Sequence, residues 1–262
     1  MQLNKNDFEK EISKLNETVR AHYVKDRNKM EKKTESDFIY DGVINVDEYI
    51  KPRPNRILWI LKEPYGWDKG YSYLKNLDEK RAIGENREAY QTFDPIIYVS
   101  YGILNSYMKY DTMIKLDLNK ELSKVLRKIA IIQVNKMPRY TTFEKKRAEK
   151  NIRTDMNDLK KCYDDNKHIL HEQIKVYRPD IVIGANTLQF FKNDKDFNKD
   201  IINLKIDGEQ RNIGHFKRGN TLFIKTYHPS SQRKNSKKYI DYIDNIITRV
   251  EQFYNGKLIP IQ

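Results

Sequence analysis

Apolar residues in this chain fall into two rhythms. Phe8, Ile12, Leu15 and Val19 recur three or four positions apart. That spacing gathers side chains on one helical face and predicts an amphipathic helix over residues 5 to 25 covering one side of a core. The second rhythm is the short unbroken run: Ile57–Leu61 (ILWIL), Ile129–Val134 (IAIIQV), Ile181-Val182-Ile183-Gly184 and Leu222-Phe223-Ile224-Lys225. Their length and β-branched content predict strands buried on both faces. Between them the pattern predicts helices from Ile97 to Lys109, Leu118 to Lys128, about Lys145 to Tyr177, and Lys237 to Tyr254. Strands alternating with helices imply right-handed crossovers, hence an α/β fold with a mainly parallel sheet between helical layers.

The segment Lys51-Pro52-Arg53-Pro54 reads as an extended connector, because each proline turns its predecessor away from helix. The expected organisation is therefore an N-terminal helical extension, residues 1–50, packed on a domain of residues 51–262. Asp26 to Ser36 is charge-rich and reads as helix end or loop. Gly66 to Asp94 is polar, with glycines at 66, 70 and 84, and reads as a long loop, either beside the active site or as a surface excursion. There is no internal repeat or low-complexity segment.

Composition narrows the class. The 262 residues carry 50 Lys and Arg against 37 Asp and Glu, a net charge of +13 spread along the chain. Such a surface suits a polyanion, since neutralising phosphates releases counterions. A basic but otherwise ordinary surface is the plainer alternative. One cysteine, Cys162, excludes an intrachain disulfide framework and a cysteine-ligated iron–sulfur cluster and fits a reducing cytoplasm. No apolar stretch approaches the roughly 20 residues that span a bilayer, and Met1 to Lys14 lacks the apolar centre of a signal peptide. The expectation is a monomeric cytoplasmic protein without membrane contact. The 18 Tyr and 10 Phe offer rings that stack on bases or pack in the core.

Candidate chemistry sits where two of the strands end. Leu61-Lys62-Glu63-Pro64-Tyr65-Gly66 follows the first run and His228-Pro229-Ser230-Ser231 follows the last. In open α/β sheets, ligands bind outside the carboxyl ends of the strands, so a carboxylate in one loop and an imidazole in the other are placed to face one substrate.

The order strand–KEPYG, strand–QVNKMP, helix–RPDIVIGAN, strand–YHPSS resembles the uracil-DNA glycosylase superfamily, from Arg56 to Gln232. The resemblance implies a three-layer α/β/α sandwich with a central four-stranded parallel sheet, and a DNA partner. It implies hydrolysis of the N-glycosidic bond of uracil or a modified pyrimidine, with no cofactor and no metal. That chemistry needs a group that stabilises an oxocarbenium-like sugar and another that supports charge on the departing base. Glu63 is the candidate for the first, orienting or deprotonating water, and His228 for the second. Tyr65 corresponds to the aromatic beside the pyrimidine C5 edge. Asn135 is the favoured base-reading amide, with Gln133, on the same strand face, as its rival.

Lys62, Ser230, Ser231, Gln232, Arg233 and Lys234 are expected to contact DNA, with Lys237 and Lys238 adding charge nearby. Gln232 stands where relatives carry an apolar wedge, and Leu61 where they carry glycine. The element ending in Ile183-Gly184-Ala185-Asn186 is mainly structural in that superfamily. A flipped-out nucleotide is required, because the glycosidic bond is inaccessible in the stack.

Competing signals are weaker. His168 and His171, three apart on a helix, lack a third ligand for a metal, and His22 and His215 have no recognisable partner. P-loop, GxGxxG and GxSxG signatures are absent. A noncatalytic DNA-binding module and a metal-dependent nuclease are the alternative classes.

Overall fold

A computed structural model describes residues 4–25, 39–52, 55–64, 77, 87–137, 155–207, 212–231 and 236–261. The four apolar runs become β2 (Ile57–Leu61), β3 (Ala130–Gln133), β4 (Ile181–Ala185) and β7 (Thr221–Thr226). β2, β3 and β4 are buried along their whole length. Side chains on both faces of such a strand must find apolar cover, which explains the absence of polar alternation in the sequence. The four pair in parallel in the order β3-β2-β4-β7.

The α/β class is as expected, but the sheet is larger and more mixed. Its order is β1-β3-β2-β4-β7-β6-β5-β8, with the remaining strands β1 (Gly42–Val43), β5 (Ile201–Ile206), β6 (Asn212–Arg218) and β8 (Leu258–Pro260). Among the described residues, three strand pairings are parallel and four antiparallel. The parallel centre thus continues into an antiparallel wing, β7-β6-β5-β8.

Helices cover both faces. α1 (Lys5–Lys25) and α4 (Met156–Tyr177) pack with Leu58, Ile60, Ile132 and Val182 on one side. On the other side, α3 (Arg87–Leu104) and α6 (Lys237–Tyr254) pack with Trp59, Leu61, Ile131 and Ile183. Trp59, fully buried, donates its indole N–H to Ser100 Oγ at 3.1 Å, so the largest core side chain of β2 leaves no polar atom unsatisfied.

Several helix boundaries differ from the sequence reading. α3 begins at Arg87 and stops at Leu104, with Pro95 inside it, and positive φ at Ser106 and Tyr107 ends the segment. Lys120–Lys128 is a 3₁₀ helix, capped by the Asn119 side chain. α4 starts at Met156, where Asp155 accepts from the N–H groups of Asn157 and Asp158. Residues 138–154, expected in part as its first turns, lie outside the described residues. α4 ends at Arg178 with φ +47, the left-handed turn that Pro179 permits where an αR residue would clash. Asp180 then accepts from the Arg56 backbone N–H at 2.7 Å and from its Nε at 3.2 Å, clamping the amino ends of β2 and β4 together.

The N-terminal segment is joined to the sheet. β1 pairs antiparallel with β3, and α2 (Val46–Ile50) follows, capped by Asn45. Asp41, just before β1, forms a fully buried ion pair with Lys136, just after β3, at 2.7 Å. Its carboxylate also accepts from the Gln133 N–H and from Gln173 Nε2 in α4. Burial pushes the Lys136 ammonium down from its usual range, and Asp41 opposes that shift. No described helix is long and apolar enough to cross a membrane.

Candidate active site

The carboxyl ends of β3, β2, β4 and β7 lie side by side, and register dictates which residues meet there. Leu61 pairs with Gln133, Ile60 with Gly184, and Ala185 with Thr226. The paired register stops there. Lys62, Asn186 and Tyr227 are the first residues past the ends of β2, β4 and β7, and Asn135, Glu63 and His228 stand two residues past the ends of β3, β2 and β7. Strands are spaced about 4.8 Å apart and β4 lies between β2 and β7, so the ends of β2 and β7, from which the Glu63 and His228 loops leave, are about 10 Å apart.

Glu63 is buried, 9% exposed, and Asn135 reaches it, Nδ2 donating to Oε2 at 3.4 Å. The other end of the Asn135 amide is also engaged, Oδ1 accepting from the Met137 N–H at 3.0 Å. The Asn135 N–H donates to the Lys62 carbonyl at 2.9 Å, and Val134 N–H to that of Leu61. Asn135 is thereby a bracket between the two loops. Gln133 is 1% exposed, within β3 beside the Asp41–Lys136 pair.

His228 Nδ1 accepts from the Ser230 N–H at 3.3 Å and lies 2.8 Å from Ser230 Oγ. An Nδ1 that accepts from a backbone N–H carries no proton, so the neutral ring has its proton on Nε2, which bonds to no described residue. Burial, with the Lys62 charge nearby, lowers the imidazole to about 4. His228 is therefore neutral at pH 7, with its Nε2–H available as a donor.

Ser231 Oγ donates to the His228 carbonyl at 2.6 Å, so both expected phosphate-binding serines also build the turn that fixes the imidazole. Both are exposed. Lys62 is half-buried, and burial lowers its ammonium while Glu63 opposes the shift. Glu63 also helps raise the half-buried Cys162 thiol in α4, where burial is the main cause, so the amino-terminal half of that helix flanks the carboxylate. Tyr227, immediately before His228, is 71% exposed, and its carbonyl is held by the Tyr242 hydroxyl at 3.0 Å. Lys237 and Lys238 open α6 and are exposed. Tyr65, Gln232, Arg233 and Lys234 lie outside the described residues, as do 66–76 and 78–86 of the expected long loop.

The histidines outside this edge are structural. His168 and His171 do not converge: His168 lies against His22, ring centroids 4.6 Å apart, whereas His171 Nε2 meets the Tyr163 hydroxyl at 3.0 Å. His22 Nε2 also lies 2.7 Å from Asn166 Oδ1, and His215 Nδ1 accepts from the Lys225 N–H. A cavity of about 300 Å³ lies between α4 and the short helix α5 (Leu188–Asn193). Most of its charges are paired internally, Lys167 with Asp194 and Asp196 and Lys160 with Asp164.

Sequence reasoning passed over two residues that matter at this edge. Asp41 carried no local signal. Asn186 ended a run of small residues that read as packing. No family model matches the chain, and no curated protein matches it.

Proposed function

We propose that the protein is a metal-independent DNA N-glycosylase that releases uracil or a modified pyrimidine from a flipped-out nucleotide. The observation that carries this reading is that Glu63, bonded by Asn135, and His228 each stand two residues past the ends of the parallel strands β2 and β7, whose ends lie about 10 Å apart. In this reading the parallel unit β3-β2-β4-β7 corresponds to the four-stranded sheet that the resemblance to the uracil-DNA glycosylase superfamily implies, with β1 and the wing β6-β5-β8 added to it.

In this reading the bond from C1′ to the base nitrogen breaks with its electron pair leaving on the base. Glu63, steadied by Asn135, stabilises the cationic sugar and takes the proton of the water whose oxygen bonds to C1′. That proton returns to the departing base. His228 donates from Nε2 to a carbonyl oxygen of the base, where negative charge collects. A neutral donor fixed before the reaction stabilises that charge without reorganisation, and loss of such a donor costs about 3 kcal/mol in barrier. Lys62 adds positive charge beside the same oxygen. Exposed Tyr227, Ser230, Ser231, Lys237 and Lys238, together with the net charge of +13, suit the surrounding strand of DNA.

The test is mass spectrometry of free bases released from DNAs containing uracil, other deaminated bases or bulky modified pyrimidines. The wild-type protein is expected to release a pyrimidine base and leave an abasic site, in the presence of EDTA. Glu63→Gln and His228→Ala are each expected to slow release at least 100-fold. Release unaffected by both changes, or strand scission that EDTA abolishes without a prior abasic site, overturns the reading.

A further inference from the structure

We infer that Asn186, at the end of β4, is the residue whose side-chain amide contacts the flipped-out base, in the place first expected of Asn135 or Gln133. The inference rests on the glycosylase reading and adds to it the means of recognition. β4 is the strand between β2 and β7, and Asn186 is the first residue past its end, as Lys62 and Tyr227 are past the ends of its two neighbours.

Of the amides expected to read a base, Asn135 uses Nδ2 on Glu63 and Oδ1 on the Met137 N–H, and Gln133 is shut inside the strand at 1% exposure. Asn186 is half-buried, and its carboxamide makes no hydrogen bond to any described residue. Its main chain, by contrast, is held on every side. The N–H donates to the Gly184 carbonyl at 3.0 Å and the Thr226 carbonyl at 2.7 Å, while the carbonyl accepts from Gln189 Nε2 at 2.8 Å. Next to it, Thr187 Oγ1 donates to the Ile60 carbonyl at 3.0 Å. A fixed backbone carrying an uncommitted amide is pre-organised for a ligand.

The backbone also argues for a role of the side chain. Asn186 has φ +60, a left-handed conformation that glycine adopts freely and asparagine tolerates. Glycine would satisfy the turn, so the amide is not needed for the fold. What it adds is one acceptor and two donors on a single plane. That pattern pairs with adjacent donor and acceptor groups on the N3–C4 edge of a pyrimidine, in either order of the amide. A substituent at C5 stands next to C4 but leaves the hydrogen-bonding groups at N3 and C4 in place.

The experiment uses oligonucleotides that cannot be cleaved. Single strands carrying 2′-deoxypseudouridine or 2′-deoxypseudoisocytidine, whose glycosidic link is carbon–carbon, are compared with an abasic-analogue strand of the same sequence by equilibrium binding. Wild type is expected to bind at least one of the two C-nucleoside strands at least tenfold more tightly than the abasic strand. Asn186→Gly, which keeps the left-handed turn, is expected to bind the abasic strand as wild type does and to lose the preference to within twofold. A wild type without that preference, or a variant that keeps it, overturns the inference. A preference that depends on Asn186 in a protein that releases no base supports the inference and overturns the glycosylase reading alone.

Discussion

A neutral His228 fixes how pH acts on the site. Its imidazole lies at about 4, against about 6.5 for an unperturbed histidine, so its charge does not change between pH 5 and 8. Single-turnover base release is expected to show no inflection near pH 6.5, and the contribution of His228 to enter only near pH 4. An inflection at 6.5 that disappears in His228→Gln contradicts the geometry derived from Ser230. His215 carries a second consequence, this time for stability. It is 6% exposed and lowered to about 4, first by burial and then by Arg249 and Lys225. The folded state refuses a proton that the unfolded chain accepts, so stability is full above 6.5, falls as pH drops from 6.5 toward 4, and levels off below. The loss from His215 is at most about 3 kcal/mol. Urea unfolding at pH 7.5 and 4.5 is expected to show a smaller difference in His215→Gln than in wild type.

At the scale of elements, the joint between the N-terminal segment and β3 is the most exposed to substitution. Lys136→Met leaves Asp41 buried without its cation, at a cost of about 3–5 kcal/mol, whereas Asp41→Leu with Lys136→Met removes both charges and restores most of that loss. Thermal unfolding of the two variants distinguishes a paired joint from a passive one. This joint illustrates what the sequence conceals. Asp41 and Lys136 are 95 residues apart, and neither belongs to a local pattern. β2, β3, β4 and β7 were legible because a strand covered on both faces must be apolar throughout. β5 and β6 were not, because half-exposed strands such as Asn212–Arg218, NIGHFKR, take polar residues that read as loop. Glu63 and His228 were legible as polar residues directly after apolar runs. Asn186 was not, because its distinction is a backbone angle and an unused amide, and neither is written in residue type.

For the whole molecule, the dominant property is charge. Fifty basic side chains against 37 acidic ones lie on a surface where the described ion pairs are mostly exposed and individually weak. Affinity for single-stranded DNA without a target base is expected to fall at least tenfold between 50 and 200 mM salt, with log K linear in log salt, as counterion release requires. A flat response measured by fluorescence anisotropy argues against a polyanionic partner. Among the described residues the sheet ends on both sides in stubs: β1 has two residues, and β8 has three and finishes in Pro260. A strand that short offers an incoming chain few open N–H and C=O groups, and proline removes one donor more. An eight-stranded sheet with such margins presents little template for growth into fibrils, a safeguard that counts most for a cationic protein proposed to gather along a nucleic acid.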